Sequence, residues 1–174
     1  GPGFTPYVTV PGAEQGLSVF SPSKGWNLAG LKSAIVIGGP EAREDLRRLH
    51  EVHTHGSSHI GEIAHVAAMD HGREWLAQLL DELGANRSLL GDLLEQHLPG
   101  VRWQKPESTY LAWLDCRALG LGDDPAAVFR TRGRVALGSG PRYGGTVGRG
   151  FARLNMATSP EIIEEAVRRM ASVL

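Results

Sequence analysis

The chain has 174 residues, which is enough to bury a sizeable core, so one domain or one domain and part of another is the natural count. Its 18 basic and 19 acidic residues give a net charge of −1, and the absence of a long basic run argues against a nucleic-acid partner. The single cysteine, Cys116, excludes an internal disulfide and is interpreted as a packed apolar side chain. Since no segment resembles a signal peptide or a membrane span, we expect a soluble cytoplasmic protein without membrane contact.

The N-terminal part is predicted to form two short strands followed by two helices. Leu17 to Phe20 is predicted as a buried strand. Ser33 to Ile37 is predicted as a second strand, which ends before Gly38-Gly39. A proline then favours the start of a charged helix from Glu41 to about His53. A second helix is predicted from near Ile60, with a pause at Gly72. Its apolar face is predicted to contain Ile63, Ala64, Ala67 and Ala68.

Leucines at helical spacing predict a long helix that bridges two domains and ends at Pro99-Gly100. Gly84 and Gly91 each weaken such a helix by about 1 kcal/mol relative to alanine. The leucines are interpreted as core residues. They are Leu76, Leu79, Leu80, Leu83, Leu90, Leu93, Leu94 and Leu98.

The remaining chain alternates short strands and helices, which predicts a small α+β domain. Helices are predicted at Pro125 to Arg132 and at Pro160 to Val173, the second capped by Thr158 or Ser159. Gly138 to Gly150 is predicted to be a long loop, and loops of this length are often functional. The predicted strands are Val101 to Trp103, Tyr110 to Leu114, Val135 to Leu137 and Phe151 to Met156.

The segment from Ser21 to Lys32 combines the groups that an aldehyde cofactor with a phosphate requires. Lys24 can form a Schiff base with an aldehyde if its amine is partly desolvated, because burial favours the neutral form. The hydroxyls of Ser21 and Ser23 and the second cation, Lys32, suit a phosphate. The segment therefore predicts a site for pyridoxal 5′-phosphate (PLP).

Three segments resemble, in order, the motifs of fold-type I PLP-dependent enzymes, the aminotransferase class I/II superfamily. The likeness is strongest to the branch of cystathionine β-lyase-like C–S lyases and extends over most of the chain. The segments are Ser21–Lys32, Pro106–Asp115 and Gly150–Ala157. Because the lysine motif of this family normally lies past the middle of a longer chain, the resemblance implies a C-terminal portion of such an enzyme.

The fold that the resemblance implies is α/β to α+β, the end of the PLP-transferase large domain followed by a C-terminal small α+β domain. Residues 1–72 would be the remnant of the large domain with the lysine loop, 73–100 the linking helix and 101–174 the small domain. The other half of the enzyme would hold the aspartate for the pyridine nitrogen, the ring-stacking aromatic residue and an asparagine for the phenolic oxygen.

The resemblance also implies roles for the residues of the lysine motif. Lys24 would be the Schiff-base lysine and would move protons at the substrate α-carbon. Ser21 matches the hydroxyl that binds the phosphate, and Ser23 either adds a second hydroxyl or only shapes the loop. Lys32 stands where many relatives place a cation against the phosphate; an exposed, solvated charge is the alternative interpretation.

Arg153 is the predicted substrate-binding residue. It interrupts an apolar strand, and a buried guanidinium requires a partner because an unpaired charge would cost several kcal/mol. A substrate α-carboxylate is a bidentate match, and the family uses the arginine of this motif for it; an internal salt bridge is the alternative. Tyr143, in the preceding loop, would border the substrate pocket.

The implied reaction is α,β-elimination on a sulfur-containing amino acid such as cystathionine. Transamination on the same scaffold is the alternative, because both reactions begin with loss of the α-proton. The full-length enzyme would be a homodimer, whereas this truncated chain alone is expected to be inactive. A metal site is the least favoured hypothesis, and no metal ligands are predicted, because the spacing of the clustered histidines fits no recognised site. These histidines are His50, His53, His55 and His59.

Overall fold

The computed structural model describes residues 3–174, which divide into two compact units, residues 3–79 and Leu80–Leu174. The strands are β1 (Leu17–Phe20), β2 (Ile35–Gly38), β3 (Arg102–Trp103), β4 (Leu111–Asp115), β5 (Gly138–Ser139) and β6 (Phe151–Asn155). The α-helices are α1 (Arg43–Arg47), α2 (His59–His71), α3 (Arg73–His97), α4 (Pro125–Arg132), α5 (Gly140–Gly144) and α6 (Pro160–Ala171). Short 3₁₀ helices cover Tyr7–Thr9, Ala29–Leu31, Glu51–His53, Arg117–Leu119 and Gly145–Gly148.

The N-terminal unit contains an antiparallel pair of strands, β1 and β2, in which Phe20 lies opposite Ile35. Both predicted strands are confirmed, but the expectation that the first is buried is wrong. Val19 is 72% exposed and Ile35 is 46% exposed. Within the described residues this sheet has only two strands, and a pair of strands leaves most of its surface uncovered.

The first predicted helix is shorter than expected. Helix α1 ends at Arg47, and the chain then makes a separate 3₁₀ turn at Glu51–His53. This turn is capped by His50, whose Nδ1 accepts a hydrogen bond from the Val52 amide at 3.2 Å. The long helix was expected from its charge pattern, but a helix without a buried face has little to stabilise it beyond its first turns.

Helix α2 begins after Ser58, whose hydroxyl accepts a hydrogen bond from the Gly61 amide at 3.1 Å. The predicted pause is confirmed, because Gly72 ends α2 and α3 follows at once. The predicted apolar face is only partly correct: Ala68 is buried as expected, but Ile63 is 55% exposed, and the other buried residues of the helix are Gly61 and His65. The helix thus buries small and polar groups, which allow a close approach of the backbone that packs on it.

Helix α3 is unbroken over 25 residues, as the leucine spacing predicts, and neither Gly84 nor Gly91 interrupts it. Leu83, Leu90 and Leu94 are buried within the C-terminal unit. None of the helices in residues 3–174 combines the length and the apolar character that a membrane crossing requires.

The C-terminal unit is built on an antiparallel sheet with strand order β3-β4-β6-β5. Ala112 and Leu114 of β4 and Ala152 and Leu154 of β6 are buried, so the alternate residues of both strands lie on the opposite face. The buried face packs into one apolar cluster with residues of α3, α4 and α6. Its largest fully buried side chains are Phe129, Leu90, Leu94, Leu98, Leu114, Met156, Ile163 and Met170.

The strand predicted at Val135 to Leu137 is placed wrongly. The strand that pairs in the sheet begins three residues later and covers Gly138–Ser139. The amide of Val135 instead donates to the Phe129 carbonyl at 3.1 Å, which holds it against the end of α4. The following segment is not one long loop, since it forms α5 and a 3₁₀ turn. Gly140 allows this compact turn, because a Cβ there would lie 2.2 Å from the Gly148 carbonyl oxygen.

Two buried polar or polarisable groups complete this core. The side-chain amide of Asn86 donates to the carbonyls of Met156 and Thr158 at 3.0 and 2.7 Å, which ties α3 to the turn before α6. Cys116 is 1% exposed, and burial raises the pKa of its thiol to about 12. The thiol is therefore an inert packed group, as expected.

Of the two residues predicted as the cap of α6, Ser159 is the one that occupies the N-cap position.

Candidate functional site

The lysine loop, residues 21–32, connects β1 to β2 in the N-terminal unit. It begins with a turn in which the Trp26 amide donates to the Pro22 carbonyl at 3.0 Å, and Pro22 is buried. Lys24 lies in this turn and is exposed. Among the described residues, no hydrogen bond or ion pair engages its ammonium group, so the amine is available to a ligand.

Two serine hydroxyls lie beside each other just before Lys24. The Ser21 hydroxyl donates to the Ser33 carbonyl at 2.7 Å, and its oxygen lies 2.5 Å from the Ser23 hydroxyl oxygen. Since Ser21 has one hydroxyl proton and gives it to Ser33, Ser23 must be the donor in the serine pair. Ser23 can therefore turn toward an anion while Ser21 keeps its bond across the base of the loop.

The structure places Lys32 at the end of the lysine loop, after the 3₁₀ turn. Its φ angle is 56°, in the left-handed region, and its side chain is exposed. No hydrogen bond or ion pair in residues 3–174 joins it to Lys24 or to the serines. The structure therefore brings the two serines together but leaves Lys32 as a separate charge.

Helix α2 supports the lysine loop at three points. The indole N–H of Trp26 donates to the Gly72 carbonyl at 2.9 Å, and a Cβ at Gly61 would lie 2.3 Å from the Leu31 carbonyl oxygen. Between them, Nδ1 of His65 lies 3.0 Å from the Ser33 hydroxyl oxygen. Sequence reasoning missed Gly61 and His65, although glycine, histidine and glycine at positions 61, 65 and 72 share one helical face.

Arg153 lies in the C-terminal unit, on β6 and on the face of the sheet opposite the core. Its Nη2 donates to the Tyr143 hydroxyl at 2.6 Å, and its guanidinium carbon lies 3.9 Å from the centre of the Tyr143 ring. Within the described residues no carboxylate lies within ion-pair distance of this guanidinium, so the alternative of an internal salt bridge is not what the structure shows. The structure thus brings together the two residues predicted to contact the substrate.

Aromatic side chains hold the Arg153–Tyr143 pair in place. Trp113 contacts the Tyr143 ring edge-on at 6.4 Å between centroids and stacks on Phe151 at 5.7 Å. Gly138 leaves room for the tyrosine, because a Cβ there would lie 3.0 Å from its ring. One face of the guanidinium is covered by the phenol, and its remaining N–H edge can bind a planar carboxylate.

The clustered histidines do not form a metal centre in this structure. In residues 3–174, no group of three or more histidine, cysteine or carboxylate side chains is placed to hold a metal ion. His55 instead lies 3.4 Å from the carboxylate of Glu51, and both side chains are exposed.

The chain is similar to proteins of the family described as aminotransferase class I and II, whose model matches residues 3–170. It is 50% identical over 184 residues to a Mycobacterium leprae protein named "Putative cystathionine beta-lyase", covering 98% of this chain and 46% of that protein. It is 36% identical to cystathionine beta-lyase of Corynebacterium glutamicum, covering 91% of this chain and 42% of that protein. The chain thus spans less than half the length of these relatives.

Solved structures show the same similarity. A "putative plp-dependent beta-cystathionase" from Corynebacterium diphtheriae is 37% identical with a TM-score of 0.83, covering 90% of this chain and 42% of that one. Cystalysin from Treponema denticola, which contains PLP, has a TM-score of 0.81 over 92% of this chain and 41% of that one. Its 24% identity establishes a shared fold only.

Proposed function

We propose that this chain, which belongs to the aminotransferase class I and II family, supplies the reactive lysine and the carboxylate-binding arginine of a PLP-dependent C–S lyase. The observation that carries the proposal is the lysine loop itself. In residues 3–174 the Lys24 amine has no hydrogen-bond or ion-pair partner, and it follows two adjacent hydroxyls, one of which can turn toward an anion. The similarity to proteins named cystathionine beta-lyase favours elimination as the reaction.

The residues of the lysine loop fit PLP by the chemistry of their donor groups. Lys24 offers a primary amine to the aldehyde, and Ser23 can donate to the phosphate. Lys32 would be a further partner, and Ser21 would be another if its hydroxyl turned from the Ser33 carbonyl to the phosphate. When bound, PLP supplies an electron-withdrawing ring that stabilises negative charge at the substrate α-carbon. The protein's share of the chemistry is to hold, orient and deprotonate the substrate.

In the proposed reaction, Arg153 binds the α-carboxylate of the amino acid through the guanidinium edge that Tyr143 leaves free. This contact holds the amino acid by its carboxylate. Lys24 takes the α-proton, after which the sulfur substituent leaves from the β-carbon. A sulfur-containing amino acid such as cystathionine is the substrate that matches this sequence of events.

Transamination is the second candidate, and a specific similarity favours it. The chain is 26% identical to an LL-diaminopimelate aminotransferase of Desulforudis audaxviator, covering 97% of this chain and 42% of that protein. Both reactions begin with removal of the α-proton, so Lys24 and Arg153 serve either. Release of pyruvate and ammonia from cystathionine without a keto acid supports the lyase, whereas dependence on a keto acid supports the transferase.

The whole enzyme extends beyond this chain in the proposal. Residues 1–72 belong to the large domain, 73–100 to the linking helix and 101–174 to the small domain; the unbroken helix α3 supports this division. The groups that contact the PLP ring come from the other half, so the chain alone is expected to bind PLP weakly and to turn over little. The full-length enzyme is proposed to be a cytoplasmic homodimer, in line with its family resemblance.

The proposal is tested by mixing the purified chain with PLP and recording the visible absorption of the lysine adduct. The chain has three lysines, so Lys24→Ala and Lys32→Ala can be compared with Lys105→Ala, which alters a lysine of the other unit. We expect a weak band that Lys24→Ala abolishes, Lys32→Ala weakens and Lys105→Ala leaves unchanged. A band that persists without Lys24 would refute the proposal.

A further inference from the structure

A buried histidine lies at the base of the lysine loop. His65 is 6% exposed, and its Nδ1 lies 3.0 Å from the hydroxyl oxygen of Ser33, which is 7% exposed. Its ring centroid is 5.9 Å from that of Phe20. Phe20 directly precedes the lysine loop and Ser33 directly follows it, so one side chain on α2 contacts both ends of the loop.

Packing alone does not explain a histidine at this position. A buried polar ring is unfavourable unless it is hydrogen-bonded, and an aliphatic side chain of similar size would fill the same space without that requirement. Within the described residues, His65 makes one hydrogen bond, and its partner is the Ser33 hydroxyl. A role that depends on this bond would account for the histidine.

The bond from His65 leads through a short series of contacts to Lys24. Ser33 uses its hydroxyl for His65 and its carbonyl for the Ser21 hydroxyl, at 3.0 and 2.7 Å. Ser21 accepts from the Ser23 amide at 3.2 Å and lies 2.5 Å from the Ser23 hydroxyl oxygen. Since Lys24 is the next residue, the position of its backbone depends on where Ser33 is held.

We propose that His65 is a positioning residue for Lys24, acting through Ser33 and Phe20 to hold the two ends of the lysine loop together. The proposal rests on the function proposed for Lys24. The role of His65 is additional to that function, because His65 contacts neither the Lys24 amine nor the residues expected to bind the phosphate. Without the hydrogen bond, the Ser33 hydroxyl is buried without its partner, and the loop loses the contact that fixes its base.

The first experiment measures backbone hydrogen exchange of the lysine loop in the 174-residue chain without PLP. Suitable probes are the amides of Trp26 and Leu31, which donate to the carbonyls of Pro22 and Leu28. His65→Leu is expected to accelerate their exchange about tenfold, since it removes one buried hydrogen bond. His65→Asn, whose amide can occupy the place of Nδ1, is expected to restore the rate to within about twofold of wild type.

Two further variants separate positioning from general loss of stability. Ser33→Ala removes the same hydrogen bond from the other side without a large cavity, and we expect it to accelerate loop exchange as His65→Leu does. His71→Asn changes an exposed histidine of the same helix and is expected to have no effect. The proposal is overturned if Ser33→Ala leaves loop exchange unchanged, or if His65→Asn behaves like His65→Leu.

The second experiment measures how fast PLP becomes attached to Lys24. The adduct is fixed with borohydride and quantified on the Lys24 peptide by mass spectrometry. We expect labelling to slow about tenfold in His65→Leu and Ser33→Ala and to recover in His65→Asn. If wild type itself is not labelled at Lys24, the proposed function fails; if wild type is labelled and the variants label equally fast, only the role of His65 fails.

Discussion

The two units of this protein are stabilised in different ways. The C-terminal unit encloses large apolar side chains such as Phe129, Leu90 and Met170, all fully buried. In the N-terminal unit, the buried apolar side chains of the described residues are small, namely Ala13, Ala42, Ala68 and Pro22. Because the free energy of burial scales with apolar area, the C-terminal unit has the stronger core of its own. The N-terminal unit depends more on specific hydrogen bonds and close backbone contacts.

The two units also carry different residues of the proposed site: Arg153 belongs to the unit with the stronger core, and Lys24 to the unit with the weaker one. Arg153 projects from a sheet strand that is packed on a continuous core, which suits its proposed role as the residue that binds the substrate carboxylate. Lys24 lies on a loop, which helix α2 supports through a few contacts to Trp26, Leu31 and Ser33. The lysine loop is therefore the part of the site that is easiest to disturb without unfolding the protein.

The largest expected effect comes from breaking the core of the C-terminal unit. Phe129→Ala removes a fully buried ring, and we expect the free energy of unfolding to fall by about 3–5 kcal/mol. Arg130→Ala, at an exposed position of the same helix, is the control. Urea denaturation followed by far-UV circular dichroism measures both. A loss below about 1 kcal/mol for Phe129→Ala would contradict a closed core.

The chemical reactivity of Cys116 tests the same core without a mutation. With its pKa raised to about 12 by burial, the thiol of the folded chain forms little thiolate at pH 8. We expect labelling by a thiol reagent to be slower by on the order of a thousandfold than in urea, where the pKa is about 8.5. Fast labelling of the folded chain would mean that this unit opens readily.

A smaller effect is expected where α2 approaches the lysine loop. Gly61→Ala places a Cβ 2.3 Å from the Leu31 carbonyl oxygen, so the loop must shift, at a cost of about 1–3 kcal/mol. Gly84→Ala is the matched control, because a Cβ there meets nothing within 4 Å and should stabilise α3 by up to about 1 kcal/mol. Thermal melting of both variants measures the difference, and equal shifts would refute a close contact at Gly61.

The smallest effect on stability is expected on the exposed strands of the N-terminal unit. Val19 is 72% exposed, so Val19→Ser should change the free energy of unfolding by less than about 0.5 kcal/mol. It should nevertheless lower self-association, since it interrupts an exposed apolar surface at a sheet edge. Light scattering at increasing concentration measures this. A large loss of stability would show that Val19 is covered in solution.

Several features were predictable because they depend on short segments. Helix α4 has the predicted bounds, and the leucine spacing of α3 outweighed its two glycines. The three motifs identified the family, and the family match over residues 3–170 confirms that identification. Arg153 and Tyr143, predicted separately as substrate contacts, are in direct contact. Their roles in binding are still a prediction.

Other features could not be predicted from the order of residues alone. The charged segment 41–53 carries helix signals along its whole length, yet the helix ends at Arg47. The apolar residues of α2 predicted only Ala68 of its buried face correctly, because Gly61 and His65 are buried against the lysine loop and Ser33, which are distant in sequence. Ser23 ranked below Ser21 as a hydroxyl for the phosphate, whereas the bond from Ser21 to Ser33 leaves Ser23 the freer donor.

The amino-acid sequence by itself determined the family, most of the helices and strands, and the residue types of the proposed site, because these depend on spacing along the chain. Only the tertiary structure decided that His65 lies against Ser33 and that Tyr143 covers Arg153. The physical reason is that burial and hydrogen bonding are properties of pairs. The two partners at the base of the lysine loop are separated by 32 positions, beyond the reach of any local pattern.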